Sequence, residues 1–413
     1  MRRINFNSGD GLFWSLPGGL DYTGTQDEWP DFLAGQLSAW GITDLILFGD
    51  CRPLHALAIR LARLRGIAVH VFEEGYLRPD FITLESGGVN GHSSLPRDAR
   101  AYRQAAAQLP AVTASTPVQA SFARRAVDDV FYNLGIALGG WRFPRYQSHR
   151  PWSAFAEYGV GVRRLPMKAL TRRETERRAR AIEQGQRPYF VFPLQIDADT
   201  QIRFHAAPGG MKAAIARVMQ SFAAHAAPEA LLVITEHPLD YGPVDFASVV
   251  ASLAAAQGLG ERVVFLRGGS PAALVNAARG LVTVNSTIGI SALAAGIPVV
   301  TLGTAIYNLP GLTHQPHIDQ FWAAPQPPDA ALFDAFRRVV AARTQINGGF
   351  YSVQGIALAV EGALQRLLHA APLPTKVDVI RYLPQPANAA TPDDSQDWVP
   401  PAVVAAAEYT VQA

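Results

Sequence analysis

Carboxylates follow two of the apolar runs in this sequence, at positions where acid–base chemistry is possible. Glu73 and Glu74 come directly after the run 67–72, and Asp199 lies in the polar loop that follows the run 189–194. Adjacent carboxylates repel each other, which raises the pKa of one of them and suits it to act as a general base. Taken alone, a Glu-Glu-Gly segment is more often a solvated acidic turn.

Groups that suit a phosphate follow two further apolar runs. His237 precedes Pro238, whose ring fixes the backbone, and an imidazole held in this way can bind or protonate a departing phosphate. Ser286 and Thr287 begin the helix predicted at 288–295, and the free N–H groups of a helix start attract a phosphate or a carboxylate. Each motif alone is usually structural, as a His-Pro turn or an ordinary capped helix.

The elements that must position these residues alternate as in parallel α/β folds. A strand at 45–48, a helix at 54–65 and a strand at 67–72 form a βαβ unit. Strands and helices alternate about four times after residue 187, with strands predicted at 189–194, 231–235, 263–266, 281–284 and 299–302. This is the doubly wound pattern, in which functional groups gather at the carboxyl ends of the strands. We therefore expect the acids and the phosphate-binding groups to face each other across one cleft between two domains.

Length and composition agree with this organisation. The chain has 413 residues, 49% of them hydrophobic, which predicts two packed domains at 1–186 and 187–372 and a loosely attached tail at 373–413. Its net charge of +2 disfavours strong global binding of nucleic acid. The single cysteine, Cys51, excludes an internal disulfide and a cysteine-based zinc cluster, and no metal-ligand spacing is visible, so no metal is expected.

Targeting signals are not visible in the sequence. The first residues lack the apolar stretch of a signal peptide, and no uninterrupted apolar run reaches the ~18 residues of a membrane span. We therefore expect a cytoplasmic protein, or one that is attached to the inner face of the plasma membrane.

The segment 142–180 is strongly basic. It contains eleven Lys or Arg residues against three acids, a local balance of +8, with aromatic residues interleaved. Such a segment can lie on an anionic bilayer, and we predict that Arg172, Arg173, Arg177 and Arg178 contact it. The alternative is a solvated helix at 172–184 with i,i+4 ion pairs. Binding of RNA is disfavoured because no RNA-binding module is visible.

Six stretches together resemble one family, the capsule polysaccharide biosynthesis and export proteins of the KpsS/LipB type. They follow the family's order and spread over most of residues 40–352; they are 47–58, 71–96, 192–202, 235–242, 285–315 and 345–352. The resemblance implies a GT-B-like fold of two facing Rossmann-like domains. It also implies a glycosyltransferase that moves Kdo from CMP-Kdo to a lysophospholipid anchor of the capsule, of the phosphatidylglycerol type, with retention of configuration.

The resemblance also implies roles for individual residues. His237 would bind the CMP phosphate, and Ser286 and Thr287 would hold the phosphate or the sugar carboxylate. Asp199 would be the nucleophile of a double displacement, and Glu73 or Glu74 the acid/base carboxylate on the acceptor side. The full donor-binding set is His237, Pro238, Ser286, Thr287, Asn285, Gln195 and Gln201, and Arg78 joins the four arginines of the basic segment on the acceptor and membrane side.

The resemblance also implies binding partners and leaves alternative functions open. The partners would be a CMP-sugar donor, an anionic lysophospholipid, the membrane surface and other capsule assembly proteins, with no cofactor. The alternatives are a different GT-B enzyme, such as a sugar-nucleotide epimerase, and a non-enzymatic assembly factor for capsule export. Members of the family also begin with a strand ahead of the segment that matches 3–10, so we expect an open apolar seam in the first sheet.

Overall fold

The structure of this chain is a computed structural model that describes residues 1–14, 16–112, 115–119, 121–148, 152–206, 209–240, 242, 244–268 and 271–368, without the side chains of 122, 157, 163–169, 201 and 271. The predicted tail at 373–413 and the predicted donor-binding side chain of Gln201 therefore lie outside the described residues, as do parts of the basic segment. All described residues belong to one compact unit, so the boundaries predicted at 186 and 372 stay a prediction.

The described part of the chain contains eleven strands. In chain order they are β1 (Arg3–Asn5), β2 (Gly19–Asp21), β3 (Asp44–Phe48), β4 (Ala68–Glu74), β5 (Phe81–Ser86), β6 (Tyr189–Pro193), β7 (Leu231–Thr235), β8 (Val263–Leu266), β9 (Gly280–Thr283), β10 (Val299–Thr301) and β11 (Gln345–Asn347).

Fourteen α-helices are described in the same ranges. They are α1 (Ser8–Leu12), α2 (Trp29–Ala39), α3 (Pro53–Leu64), α4 (Ala99–Ala106), α5 (Phe122–Gly139), α6 (Ala154–Glu183), α7 (Thr200–His205), α8 (Gly210–His225), α9 (Phe246–Ala256), α10 (Pro271–Asn276), α11 (Ile288–Ala294), α12 (Ile318–Phe321), α13 (Ala330–Thr344) and α14 (Val353–Leu368). Among the described residues, no helix is both long and apolar enough to cross a membrane.

Strands β6 to β10 form one sheet, called the second sheet below. Its five strands are parallel and lie in the order β10-β9-β6-β7-β8. Every residue of its internal strands β6 and β7 is buried, as expected for apolar runs that helices cover on both faces. From β6 the chain winds outward through β7 and β8, and then returns to the other side of β6 for β9 and β10. The predicted α/β class with parallel strands is confirmed, and the strand order reverses between β6 and β9.

The side chains of β6 build the core on both faces of this sheet. Phe190 and Phe192 pack into one apolar cluster with α8, while Val191 packs into the cluster on the opposite face. Successive residues of a strand point to opposite faces, so one apolar run supplies both cores. Burial of these side chains holds β6, and with it the loop after β6, in one fixed position.

Strands β3, β4, β5 and β11 form the sheet called the first sheet below. It contains parallel and antiparallel pairs, in the order β11-β5-β4-β3. Strands β3 and β4 are parallel, as the βαβ pattern predicts, but β5 is antiparallel to β4 and β11 is antiparallel to β5. Pairing with β5 lengthens β4, so Glu73 and Glu74 lie inside a strand and not in the loop predicted after residue 72. The prediction was wrong because the chain turns back after Glu74, and the adjacent strand β5 extends β4 beyond its apolar run by pairing Glu73 with Thr83 and Glu74 with Ile82.

An open seam lies beside β3, the edge strand of the first sheet. A cavity of about 1000 Å³ is lined by β1 on one side and by β3 on the other. The side chains of Ile46 and Phe48 in β3 are 45% and 38% exposed, although both are large and apolar.

Gln345 of β11 connects the C-terminal part of the described chain to the first sheet. Its buried side-chain oxygen accepts hydrogen bonds from the amides of Tyr76 (2.9 Å) and Leu77 (3.1 Å). Its side-chain nitrogen donates to the hydroxyls of Thr83 and Thr344 at 3.0 and 2.9 Å. The turn that follows β4 is therefore held by one fully satisfied amide.

We predict that Gln345→Ala lowers the free energy of unfolding by roughly 2–4 kcal/mol, because it leaves two buried amides without an acceptor. Urea denaturation followed by circular dichroism measures the change. The control is Gln354→Ala, which removes an exposed glutamine from α14 of the same region. An equal, small effect of both substitutions would show that Gln345 does not hold the turn.

Candidate active site at the carboxyl ends of the strands

A cavity of about 490 Å³ lies at the carboxyl ends of β6, β7 and β9. On the side of the second sheet it is lined by His237 and Pro238, which follow β7, and by Ser286 and Thr287, which follow β9. On the other side it is lined by the segment after β4, including Arg78. The structure thus brings together candidate phosphate-binding groups that lie far apart in the sequence, whereas the predicted acids Glu73, Glu74 and Asp199 do not line this cavity.

The position of this cavity follows from the topology of the second sheet. The strand order reverses between the parallel strands β6 and β9, and the connections that follow them leave in opposite directions, which opens a crevice. Gln195 and Asn285 bridge the two strand ends: the Gln195 amide group donates to Asn285 Oδ1 at 2.8 Å, and the Asn285 backbone N–H donates to Gln195 Oε1 at 3.2 Å. Both residues belong to the predicted donor-binding set, but neither lines the cavity; this reciprocal pair ties together the ends of β6 and β9 beside it.

The start of α11 differs in detail from the prediction. Thr287 occupies the N-cap position, but its side chain makes no capping hydrogen bond, whereas the Ser286 hydroxyl accepts a long one of 3.4 Å from the amide of Ile288. The carbonyl of Ser286 accepts a 2.5 Å hydrogen bond from the hydroxyl of Tyr307. Gly289 admits that ring, since a Cβ there would overlap it. The two hydroxyl-bearing residues are therefore held at the cavity by the buried Tyr307.

His237 has a defined orientation. Its Nδ1 accepts a hydrogen bond of 3.1 Å from the amide of Leu239. A neutral ring that accepts through Nδ1 carries its proton on Nε2, which is then the nitrogen that can donate to a phosphate oxygen. The turn after Pro238 therefore selects the tautomer that an anion needs.

Two guanidinium groups add positive charge to this cavity. Arg78, predicted for the acceptor side, lines the same cavity as His237, and its Nε donates to the carbonyl of Gly75 at 3.2 Å. Arg337 of α13 lines it as well, and both arginines are exposed. Sequence reasoning missed Arg337 because nothing in a helix at 330–344 signals that one of its residues faces a distant strand end.

The two aspartates of the loop after β6 have different tasks. The Asp197 carboxylate accepts a 2.8 Å hydrogen bond from the amide of Met211 and so anchors the start of α8. Asp199 immediately precedes α7, and its backbone carbonyl accepts from the amides of Ile202 and Arg203. Its side chain is exposed, so Asp199 is the acid of this loop that a substrate can reach.

Glu73 and Glu74 are separated by their position in β4. Successive strand residues point to opposite faces, and Glu74 forms an ion pair of 3.5 Å with Arg125 of α5. Desolvation of Glu73 raises its pKa to about 7, and the negative charges of Asp199 and Glu74 add to this effect. The hydrogen bond from the Glu74 amide to Glu73 Oε1 (2.9 Å) acts in the opposite direction but is weaker. Glu73 is therefore a carboxyl group whose charge interacts with that of Asp199.

Four further chemically active side chains lie close to these acids. Asp50 and Cys51 follow β3, His92 follows β5, and His205 ends α7; their ligand-type atoms all lie within 4.8 Å of one another. Burial lowers the pKa of His205 to about 4, and the charge of His92 adds to this. Burial acts to raise the pKa of Asp50, but the hydrogen bond and the charge of His92 outweigh it and hold the pKa below its usual range. Sequence reasoning missed this group, although Asp50 and Cys51 directly follow a predicted strand.

The predicted membrane-contact arginines lie on the outer part of α6, which begins before the helix predicted at 172–184. Arg172 pairs with Glu176, and Arg177 and Arg178 both pair with Glu174, each at 2.8 Å. Arg173 is exposed on the same helix. These pairs match the alternative of a solvated helix, so the structure leaves the membrane role as a prediction.

The raised pKa of Glu73 predicts a pH dependence of stability. Between pH 4.5 and about 7 the unfolded chain releases the Glu73 proton while the folded chain keeps it. The free energy of unfolding should therefore fall as the pH rises through this window. Glu73→Gln should flatten this part of the curve, measured by urea denaturation from pH 4 to 8. The control Glu361→Gln, on the exposed face of α14, should leave the curve unchanged. Parallel curves for Glu73→Gln and the wild type would contradict the assignment.

Comparison with known proteins gives one consistent family. The family described as "Capsule polysaccharide biosynthesis protein" matches residues 43–351. The chain is 37% identical to the capsule polysaccharide export protein KpsS of Escherichia coli, over 84% of this chain and 89% of that protein. It is 33% identical to the capsule polysaccharide modification protein LipB of Neisseria meningitidis serogroup B, over 85% of each chain.

Among solved structures, Thermosulfurimonas dismutans KpsC, a beta Kdo 2,7 transferase, aligns with a TM-score of 0.40 and 15% identity, over 88% of this chain and 99% of that chain. The match over residues 43–351, together with the two relatives above 30% identity, confirms the resemblance found in the sequence motifs. This chain belongs to the capsule polysaccharide biosynthesis protein family.

Proposed function

We propose that the chain is a glycosyltransferase that moves Kdo from CMP-Kdo to an anionic lysophospholipid anchor of the capsule, with retention of configuration. The observation that carries the proposal is the single cavity in which His237, Ser286, Thr287 and Arg78 meet at the strand-order reversal. A cavity of about 490 Å³ has the size of a small-molecule site. Its convergent cationic and hydroxyl groups suit a ligand with a phosphate and a carboxylate, and CMP-Kdo carries both.

The donor phosphate is assigned to His237 and the two arginines. The Nε2 proton of His237, together with the positive charges of Arg78 and Arg337, would stabilise the negative charge that develops on CMP as it leaves. Ser286 and Thr287 would hold the phosphate or the sugar carboxylate. Because the leaving group is already activated, positioning and charge stabilisation supply most of the catalysis.

Asp199 is assigned as the nucleophile. Its carboxylate would attack the anomeric carbon of Kdo while the bond from that carbon to the CMP phosphate breaks, and the product is an ester between Asp199 and the sugar. The exposed side chain of Asp199 supports this assignment, as does the separate, structural task of Asp197.

Glu73 is assigned as the general base for the second step. It would accept the proton of the acceptor hydroxyl while the acceptor oxygen attacks the anomeric carbon and releases the Asp199 carboxylate. A pKa of about 7 suits a base that works near neutral pH. Glu74 is less suited to this role because it forms an ion pair with Arg125.

An apolar helix face supports a membrane-bound acceptor. Val127, Phe131, Leu134 and Leu138 recur along one face of α5 and are 41–71% exposed, and Trp141, just beyond the helix, is 81% exposed. Exposed apolar stripes with nearby aromatic and basic residues are typical of helices that lie in a bilayer interface. This face and the arginines of α6 would hold the enzyme on an anionic membrane, where a lysophospholipid resides.

The reaction is tested by incubating the full chain with CMP-Kdo and lysophosphatidylglycerol, and by measuring CMP release and the glycolipid product. We expect Asp199→Asn to lower turnover at least about 10³-fold, because it removes the nucleophile. His237→Ala should lower it about 10²–10³-fold, because it removes a donor to the leaving phosphate. Asp31→Asn and His225→Ala, which change exposed residues outside the site, are the matched controls.

The outcomes separate the competing functions. Transfer that survives both Asp199→Asn and His237→Ala would remove the mechanism. Donor turnover that gives a sugar isomer and no acceptor product would favour an epimerase-type enzyme. A folded wild-type chain that binds vesicles but releases no CMP would favour a non-enzymatic assembly factor for capsule export.

Membrane association is tested by co-sedimentation with vesicles that contain phosphatidylglycerol. Replacement of Arg172, Arg173, Arg177 and Arg178 by Gln should weaken binding about tenfold or more, because anionic lipids attract each of these charges. Leu138→Asn with Trp141→Ser should weaken binding also at high salt, where the apolar term dominates. Neutral phosphatidylcholine vesicles are the control, and unchanged binding of both variants to anionic vesicles would refute this surface.

A further inference from the structure

The Asp50–Cys51–His92–His205 cluster has the composition and geometry of a metal site. Asp50 and Cys51 belong to the loop after β3, His92 ends the short 3-10 turn Asn90–His92, and His205 ends α7. The side chains of Asp50, Cys51 and His205 are more than nine-tenths buried. Three separate segments of the chain therefore converge on one enclosed point.

The distances within the cluster match tetrahedral coordination. Cys51 Sγ lies 3.2 Å from His205 Nε2 and 3.9 Å from His92 Nδ1. Zinc–sulfur and zinc–nitrogen bonds of ~2.3 and ~2.1 Å at a tetrahedral angle place the two ligand atoms roughly 3.6 Å apart. Asp50 Oδ2 lies 3.1 Å from His92 Nδ1, close to the roughly 3.3 Å expected for nitrogen and oxygen ligands. Small adjustments of these side chains would complete the geometry.

The surrounding residues hold the four side chains in place. The backbone amide of Val89 donates to Asp50 Oδ2 at 2.9 Å, and the carbonyl of His205 accepts from the amide of Thr304 at 2.9 Å. Gly91 lies directly against the His205 ring, and a Cβ at this position would overlap it. The site is thus shaped to receive an imidazole from the segment that follows the second sheet's central strand.

The chemistry of the donor set selects the metal. One thiolate, two imidazoles and one carboxylate form a mixed sulfur, nitrogen and oxygen set that suits the borderline ion Zn²⁺, whereas Mg²⁺ and Ca²⁺ prefer oxygen alone. The charges of Glu73 and Asp199 also act on Cys51, so the site is rich in negative charge that a divalent cation would neutralise. A single cysteine excludes zinc clusters built on several cysteines, but a mixed set needs only one thiolate.

We propose that Asp50, Cys51, His92 and His205 bind one Zn²⁺ ion, with the Cys51 proton released to solvent on binding. Four protein ligands close the coordination sphere, so the ion would be structural and would not activate water. It would tie the loops after β3 and β5 to the end of α7. Because α7 begins directly after Asp199, the ion would also fix the position of Asp199 beside Glu73, a consequence that rests on the proposed function.

Metal analysis of the full chain tests the site without an activity readout. We expect about one zinc ion per chain by mass spectrometry, after purification without chelators or after incubation with Zn²⁺ and desalting. Substitution with Co²⁺ should give the d–d absorption of a tetrahedral site and a thiolate-to-cobalt charge-transfer band. Cys51→Ser should remove that band, and Cys51→Ser and His205→Gln should each weaken zinc binding by more than the roughly 10–100-fold typical of outer partners.

The control is His225→Gln, since His225 is a partly exposed histidine that pairs with Asp319 outside the cluster. It should keep the zinc content and the cobalt spectrum. Added Zn²⁺ should raise the melting temperature of the wild type but not of Cys51→Ser.

A folded wild-type chain that neither contains nor takes up Zn²⁺ or Co²⁺ would overturn the proposal. So would zinc binding that is unchanged in both cluster variants. Loss of zinc with intact transfer would refute the positioning of Asp199 but not the site, so the site and the proposed function fail separately.

Discussion

The position of β6 between β7 and β9 determines where the candidate site lies. Burial of every residue of β6 fixes this strand in the centre of the second sheet, and the chain leaves its two neighbours in opposite directions. Polar residues that follow β6, β7 and β9 must then converge on one crevice, because the strands are parallel and end at the same edge. The hydrogen-bonded pair of Gln195 and Asn285 ties together the ends of β6 and β9.

The charged candidate residues form two groups. Arg78, Arg337 and His237 line the cavity where an anion would bind. The charges of Asp199 and Asp50 raise the pKa of Glu73, and the charges of all three acids raise the pKa of the Cys51 thiol. Such a division suits a reaction in which a negatively charged group leaves on one side while carboxylates act on the sugar from the other. It also explains why Glu73 holds its proton to near neutral pH, since desolvation and neighbouring charge act in the same direction.

The short helix α7 connects Asp199 to the cluster that contains Cys51. Asp199 precedes its first residue and His205 is its last, so six residues of helix connect the proposed nucleophile to the cluster with Cys51. On the opposite side, the Gln345 side chain accepts hydrogen bonds from the amides of Tyr76 and Leu77, which directly precede Arg78. The cleft is therefore supported on each side by a polar contact between segments that lie far apart in the sequence.

Local pattern in the sequence determined most of the second sheet. Strand β7 and strand β8 have the predicted bounds, and β6, β9 and β10 differ from the prediction by one residue or so, because long apolar runs between polar loops permit few other structures. The rule that functional groups follow parallel strands then selected His237, Ser286 and Thr287. Tertiary structure alone decided the rest. The pairing of β11 with β5, the approach of Arg337 to the strand ends, and the meeting of Cys51 with His205 all depend on contacts between distant segments. Those contacts are set by packing of whole elements, which no local pattern of residues encodes.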